Sequence, residues 1–479
     1  MCAKKIHKQK YFAMVMVNKK YPFFKLLAKK PSEQSDEEKK VAKDLDLENF
    51  GWSSKFYKKE PEKITVTGLF MGFWKMADRK ENSLRSWALH IGQETNEAVS
   101  KQALDNRLSW SAIELVKMVL KYALSLKLSD YFTKEKKDTG NQKNYGKFNN
   151  ILIQDSTVQK LPPELWEIFK SSYSHGKKAA SLRIQAIYNF TTETWVDFDI
   201  GAYTDNDQSK AMMITQVAQK DDLILRDLGY FTLESLGHLI ENQWVVTKWA
   251  KTTNLYEVQS KQQINLLSLF KYKTQIDQLV HVGSKHRLPM RLVAQKLPKP
   301  MADQRIEAAK NDRHSKANHS DEYYELLKWE IYLTNVDAQV LTIKEIVKIY
   351  GLRWYIEILF KAWKSYANFK TILSTEKMTY ARTVVSIYLL LIRFVYNMLD
   401  IYHYVKEKLG QFTQQDISIF KFTSMCRNLS SAILDIRCLK ELDPLIPQFY
   451  KHGIYEKRRK RKNMQQKHLF FKELNIIKN

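Results

Sequence analysis

Four side chains in the stretch YGLRWYIEILFKAWKSY, residues 350–366, are of types that together could serve a phosphodiester: Tyr350, Arg353, Glu357 and Lys364. Arginine offers phosphate a forked contact and lysine a point charge, while tyrosine supplies a hydroxyl and glutamate a hard oxygen for a divalent cation. On a helix turning ~100° per residue, with Tyr350 at zero, Arg353 falls near ~300°, Glu357 near ~340° and Lys364 near ~320°. Leu352, Ile356, Leu359, Phe360 and Trp363 fall between about 180° and 280°, so an apolar stripe runs beside a polar one. That polar stripe reads either as a solvated face laced by charge pairs or as one wall of a phosphate site. Lys361 reads as an ordinary surface residue.

A single carboxylate holds a divalent ion poorly, so the second reading requires further acids. Asp155 ends the apolar run ILIQD and Asp227 ends LILRD. Open α/β sheets present ligand-binding groups where such strands end. Two aspartates and Glu357 would make a hard-oxygen site for Mg²⁺ or Mn²⁺, and two ions ~4 Å apart can serve both the attacking and the leaving oxygen of a phosphoryl transfer. Each aspartate taken alone could equally be a turn or helix-cap residue. Asp205, Asp207, Asp221 and Asp222 read as turn or surface positions.

The elements that must carry these groups follow from local patterning. Residues 30–63 are polar and rich in Lys and Glu, and helical spacing of apolar residues sets in between about 64 and 128. A polar break at 133–150 then marks a domain boundary. ILIQDS reads as an inner strand, LRIQAIYNF and TWVDFDIGAYT as a hairpin about TTET, QSKAMMITQVAQ as an amphipathic helix, TLESLGHLIEN as a helix and QWVVTKW as a strand. Residues 251–335 read as mostly strand with a polar helical piece near 303–318, and helical character returns from about 342. The expected division is 1–149, 150–250, 251–335, 336–372 and 373–479.

The 479 residues carry 78 Lys and Arg against 52 Asp and Glu, an excess of +26 that suits a densely anionic partner. Nucleic acid is the expected one, because the basic residues are spread along the chain and accompany no lipid-inserting segment. Cys2, Cys426 and Cys438 form neither a metal-ligand spacing nor a disulfide framework, which fits a reducing compartment. The N-terminus lacks a secretory apolar region. The apolar stretch 383–402 contains Arg393, Asn397 and Asp400, so a buried helix is expected there and no membrane span.

The spacing Tyr350-x2-Arg353-x3-Glu357-x6-Lys364, with IQD before the first acid, LTNV ahead of the helix, RW after the arginine and KAWK at its end, resembles the signature of bacterial DDE transposases of the insertion-sequence-four family. The resemblance covers roughly residues 150–368. It implies an α/β fold: a ribonuclease H-like catalytic core interrupted by a mostly β insertion, with helical N-terminal and C-terminal regions. It implies Asp155, Asp227 and Glu357 as the catalytic, metal-binding triad for Mg²⁺ or Mn²⁺, two ions in the family's manner, and Tyr350, Arg353 and Lys364 as phosphate contacts. The implied activity is cut-and-paste transposition: cleavage at transposon ends and joining of the 3′-OH to target DNA, with a homodimer in the synaptic complex and a cytoplasmic, nucleoid-associated location.

Relatives of that family carry a tryptophan on the insertion that stacks on a flipped base. The nearest here is Trp329, one position early, and on a strand one position reverses the face; packing inside the insertion is its other reading. In the N-terminal region, 83–110 reads as two helices about a turn at 92–96. Lys101, Gln102, Asn106 and Arg107 would then face DNA, with Ala98, Ala103 and Leu104 packing behind them; plain helical packing is the competing reading. The basic run EKRRKRKN near the C-terminus reads as a solvated tail or a contact to the phosphate backbone. Two other functions share this pattern: a nuclease or resolvase without strand transfer, and a DNA-binding relic without turnover.

Overall fold

A computed structural model describes residues 47–125, 148–171, 179–311, 319–366, 379–413, 415–434 and 439–456. The polar segment before residue 47, most of the 133–150 break and the basic run after Glu456 lie outside the described residues.

Among the described residues nine strands form one sheet: β1 (Ile151–Leu161), β2 (Ala180–Asn189), β3 (Thr194–Ala202), β4 (Leu223–Arg226), β5 (Trp244–Lys248), β6 (Leu255–Glu257), β7 (Gln275–Val282), β8 (Leu288–Lys296) and β9 (Trp329–Thr334), in the order β3-β2-β1-β4-β5-β9-β8-β7-β6. β1, β4 and β5 run parallel; every other neighbouring pair is antiparallel. The central β4 is buried at all four positions, as a strand covered on both faces must be, which is why its sequence does not alternate. The segment 251–335 contributes β6 to β9 and continues the sheet through the β5–β9 pairing instead of standing apart from it. It also holds three helices, at Leu266–Phe270, Lys299–Lys310 and Asp321–Leu327.

The segment expected as a helix at QSKAMMITQVAQ forms two short 3₁₀ turns, Gln208–Lys210 and Met213–Gln216. Side chains from the sheet draw its carbonyls away from a helical ladder: Gln154 Nε2 donates to Lys210 O and Arg226 Nη1 to Ala211 O, both at 3.0 Å. A buried side-chain donor that captures a carbonyl competes directly with the i→i+4 bond.

On one face of the sheet lie the N-terminal helices α1 (Leu47–Ser53), α2 (Val66–Asp78), α3 (Leu84–Thr95), α4 (Lys101–Arg107) and α5 (Trp110–Ser125), which share a single apolar core with the C-terminal helices. Trp74 Nε1 on α2 donates to Leu389 O at 2.9 Å, and Arg393 forms a bidentate pair with Asp78 at 2.6 and 2.7 Å. The pair with Asp78 accounts for Arg393 within the apolar stretch. The helix Tyr380–Gly410 is long and apolar enough to cross a membrane, but 88% of its most apolar window is buried inside the protein. A second core lies on the opposite face beneath β6 to β9.

Candidate active site

The parallel register pairs Ile151 with Leu223 and continues to Gln154 opposite Arg226, where the β1–β4 ladder stops. Asp155 and Asp227 are the next residue on each strand. Because β1 continues to Leu161 against β2, Asp155 lies within a strand and not at its end; it lies at the end of the parallel pairing. Asp227 leaves β4 and caps the 3₁₀ turn Leu228–Tyr230, its carboxylate accepting from the Gly229 amide.

Glu357 arrives from the far end of the chain. A capping box between Thr342 and Glu345 starts the helix Ile343–Tyr350, of a kind that contributes about 1 kcal/mol. A 3₁₀ turn, Gly351–Arg353, joins it to Trp354–Tyr366, which carries Glu357 in its first turn. Three residues at ~120° instead of ~100° rotate the two halves by about 60° relative to a continuous helix. Tyr350 is only 6% exposed, with its hydroxyl donating to Arg226 O at 3.1 Å. In this structure its hydroxyl is tied to the carbonyl preceding Asp227, and burial raises its phenol well above the usual range.

The two aspartates and the glutamate meet on one guanidinium. Arg353 Nη1 lies 2.9 Å from Asp155 Oδ2, Nη2 lies 2.8 Å from Glu357 Oε1, and Nε lies 3.8 Å from Asp227 Oδ1. Burial pushes the Asp155 carboxyl up to about 7; Arg353 opposes the shift, and Asp227 and Glu357 add to it. Burial alone would lower the Arg353 guanidinium, but Tyr350 and the three acids more than reverse this and raise it. These side chains line an open cleft of about 470 Å³ together with Ser156, Lys361 and Lys364. Lys361 thus belongs to the cleft wall. Lys364 donates to Val158 O, and burial lowers its ammonium.

The donor set suits Mg²⁺ or Mn²⁺: three carboxylates, all oxygen, around one cation. Among the described residues no three acid, histidine or cysteine side chains close on a common ligand point by themselves; Arg353 gathers the acids here.

Other expected contacts are placed differently. Trp329 is 8% exposed and stacks on Phe270, with centroids 4.3 Å apart, inside the core beneath the insertion; its face is already covered. Lys101, Gln102 and Asn106 are exposed on α4, whose N-cap is Ser100. Arg107 Nη1 instead donates to Phe56 O at 2.6 Å, within the helical core's edge. Of the packing trio only Leu104 is buried; Ala98 and Ala103 are exposed.

Two neighbours of the site escaped the sequence reading. Lys248 ends β5, 5.7 Å from the Tyr350 ring, and its ammonium is lowered by burial, with Arg305 and Arg353 adding to this. Asp207, read as a turn or surface position, does open a 3₁₀ turn but is partly buried: it accepts from Ser156 Oγ at 2.7 Å and Arg183 Nη1 at 2.9 Å. The available signal was Arg183 and Gln185, two polar residues on one face of an otherwise apolar strand. Asp222, also expected at a turn or surface position, is 1% exposed and accepts from Asn150 Nδ2 at 2.7 Å.

A mixed sheet that brings three carboxylates from distant segments into one basic-walled cleft defines a candidate phosphoryl-transfer protein. Residues 146–392 match the family described as Transposase DDE domain, and the chain belongs to that family. It is 25% identical over 292 residues to the transposase for insertion sequence element IS231F of Bacillus thuringiensis subsp. israelensis, covering 57% of this chain and 60% of that one. It is 26% identical over 289 residues to the transposase for insertion sequence element IS1151 of Clostridium perfringens, covering 55% and 59%. The matched region thus spans about three fifths of those relatives. A piggyBac transposase synaptic complex with hairpin DNA aligns at a TM-score of 0.38 and 10% identity over 95% of this chain and 86% of that one, a likeness too distant to carry an argument. The family match agrees with the resemblance carried by the Tyr-Arg-Glu-Lys spacing.

Proposed function

We propose that the chain is a DNA transposase that binds transposon ends, cleaves them by metal-dependent phosphoryl transfer and joins the freed 3′-OH ends to target DNA. The observation that carries this reading is the convergence of Asp155, Asp227 and Glu357 on Arg353 in an open cleft. The strand order β3-β2-β1-β4-β5, with the last three strands parallel, supports a ribonuclease H-like core, and β6 to β9 supply the insertion.

Asp155, Asp227 and Glu357 would hold Mg²⁺ or Mn²⁺. When bound, such ions supply a lowered pKa for an attacking water or hydroxyl and neutralise charge on the leaving oxygen. Arg353 offers the scissile strand a guanidinium once a phosphate competes with its carboxylates, and Lys361 and Lys364 extend the positive wall along the cleft. The net charge of +26 draws DNA toward the protein before any specific contact forms. Exposed Lys101, Gln102 and Asn106 on α4 are proposed to contact the ends. Two subunits are proposed to pair in the synapse, in the cytoplasm.

The test is to incubate purified protein, Mg²⁺ and DNA bearing the inverted repeats that flank the coding sequence. Joined transposon and target strands support the proposal. Cleavage without joining assigns a nuclease, and binding without cleavage assigns a relic.

A further inference from the structure

The parallel register ends at Gln154 opposite Arg226, so Asp155 and Asp227 are not themselves a paired position of the β1–β4 ladder. Arg353 reaches both carboxylates, and a second group lies against the backbone that follows each of them. We propose that Asp207 is the positioning residue that sets the separation of the two aspartates, an inference resting on the reading of Asp155 and Asp227 as the acids of the reaction.

Asp207 follows β3 and lies where both acid-bearing segments can touch it. Its Oδ1 accepts from Ser156 Oγ at 2.7 Å, Arg183 Nη1 at 2.9 Å and Gln185 Nε2 at 3.2 Å. Ser156 is the residue after Asp155, and its amide donates to Asp155 Oδ1 at 2.8 Å. On the other side, Asp207 presses on the turn that Asp227 caps. A Cβ at Gly229 would come within 2.8 Å of Asp207 Oδ2, so the turn lies close against the carboxylate and a larger residue there would force Asp207 to move. One carboxylate thus braces the residue after Asp155 and the turn after Asp227. Arg183 balances its charge and also donates to Ser156 Oγ at 3.1 Å, which fixes the hydroxyl's orientation. Asp207 touches no reacting atom in this scheme; it acts through Ser156 and Gly229.

A misplacement of about 1 Å between reacting groups lowers a rate about 100-fold. Asp207→Ala is therefore expected to lower the rate constant for end cleavage about 100-fold while end-DNA affinity stays within about twofold. Asp207→Asn keeps an Oδ1 that can accept from the same three donors and is expected to recover most of the rate. Ser156→Ala removes the link to β1 alone, should fold even if Asp207→Ala does not, and is expected to show the same split, at about 10-fold. Hydrogen exchange read at 152–158 and 227–231 supplies a measure independent of cleavage: Asp207→Ala should speed exchange in both segments, and Ser156→Ala in the first. Unchanged exchange in both variants overturns the positioning role whatever the activity. Equal loss in Asp207→Asn and Asp207→Ala also overturns it, because the charge itself would then be the working feature. Loosened exchange with a wild type that cleaves nothing overturns the proposed reaction and leaves the brace standing.

Discussion

Two arginines close to the sheet are surrounded very differently. Arg291 on β8, 4% exposed, gives Nε and Nη2 to the two oxygens of Asp277 at 2.6 Å each, and Nη1 to Val336 O and Leu341 O at 3.0 and 2.8 Å. One cation meets one anion and two carbonyls, so the charge balances and the donors are used. Arg353 meets three carboxylates, so one cation is shared among more acids than it can balance beside an open cleft, even with Asp155 pushed up to about 7. A balanced pair of this kind pins a strand to a loop. The unbalanced set has room for more positive charge, and a folded protein keeps such an imbalance near water or a ligand.

Replacing the acids tests that contrast most severely. Asp155→Ala, Asp227→Ala and Glu357→Ala are each expected to lower end cleavage by about 1,000-fold or more, with end binding retained in a gel-shift assay. Normal cleavage by any one removes that residue from the proposed triad.

Arg353→Ala separates counter-ion from phosphate contact. Cleavage should fall about 100-fold, while Mn²⁺ should raise the melting temperature of the variant more than that of wild type, because the unshielded acids gain a replacement cation. Equal Mn²⁺ shifts would mean that Arg353 and the ion do not share the carboxylates.

For Arg291→Ala the expected loss is in stability: about 3 kcal/mol in denaturant unfolding, from the unpaired Asp277 and two orphaned carbonyls. Cleavage per folded molecule should be unchanged. A selective loss of cleavage at intact stability would erase the distinction between the two arginines.

The smallest effects belong to groups whose placement is purely open or purely packed. Lys101→Ala with Gln102→Ala should weaken end binding about threefold at unchanged melting temperature, as befits exposed side chains. Trp329→Phe should leave cleavage and any hairpin step intact, since the ring is packed on Phe270; a selective loss of hairpin formation would restore its base-stacking role.

Much of the candidate site was legible because its chemistry lies in residue types and local order. ILIQD and LILRD announce buried strands delivering an acid, and the polar stripe of 350–366 announces a helix with one wet face. That the Tyr350 hydroxyl is taken by Arg226 O depends on where β4 ends beside this helix, which a helical wheel does not contain. Asp207 was passed over because an aspartate in a loop resembles any turn residue until its donors, from β1 and β2, are known.

The sequence by itself determined the elements, their buried faces and the candidate acids, since periodicity and side-chain chemistry are local. Only the tertiary structure decided that three acids from distant segments share Arg353, that the β1–β4 ladder stops just before both aspartates, and that β6 to β9 extend the same sheet. Distances between remote segments are set by packing and register, which no local pattern encodes.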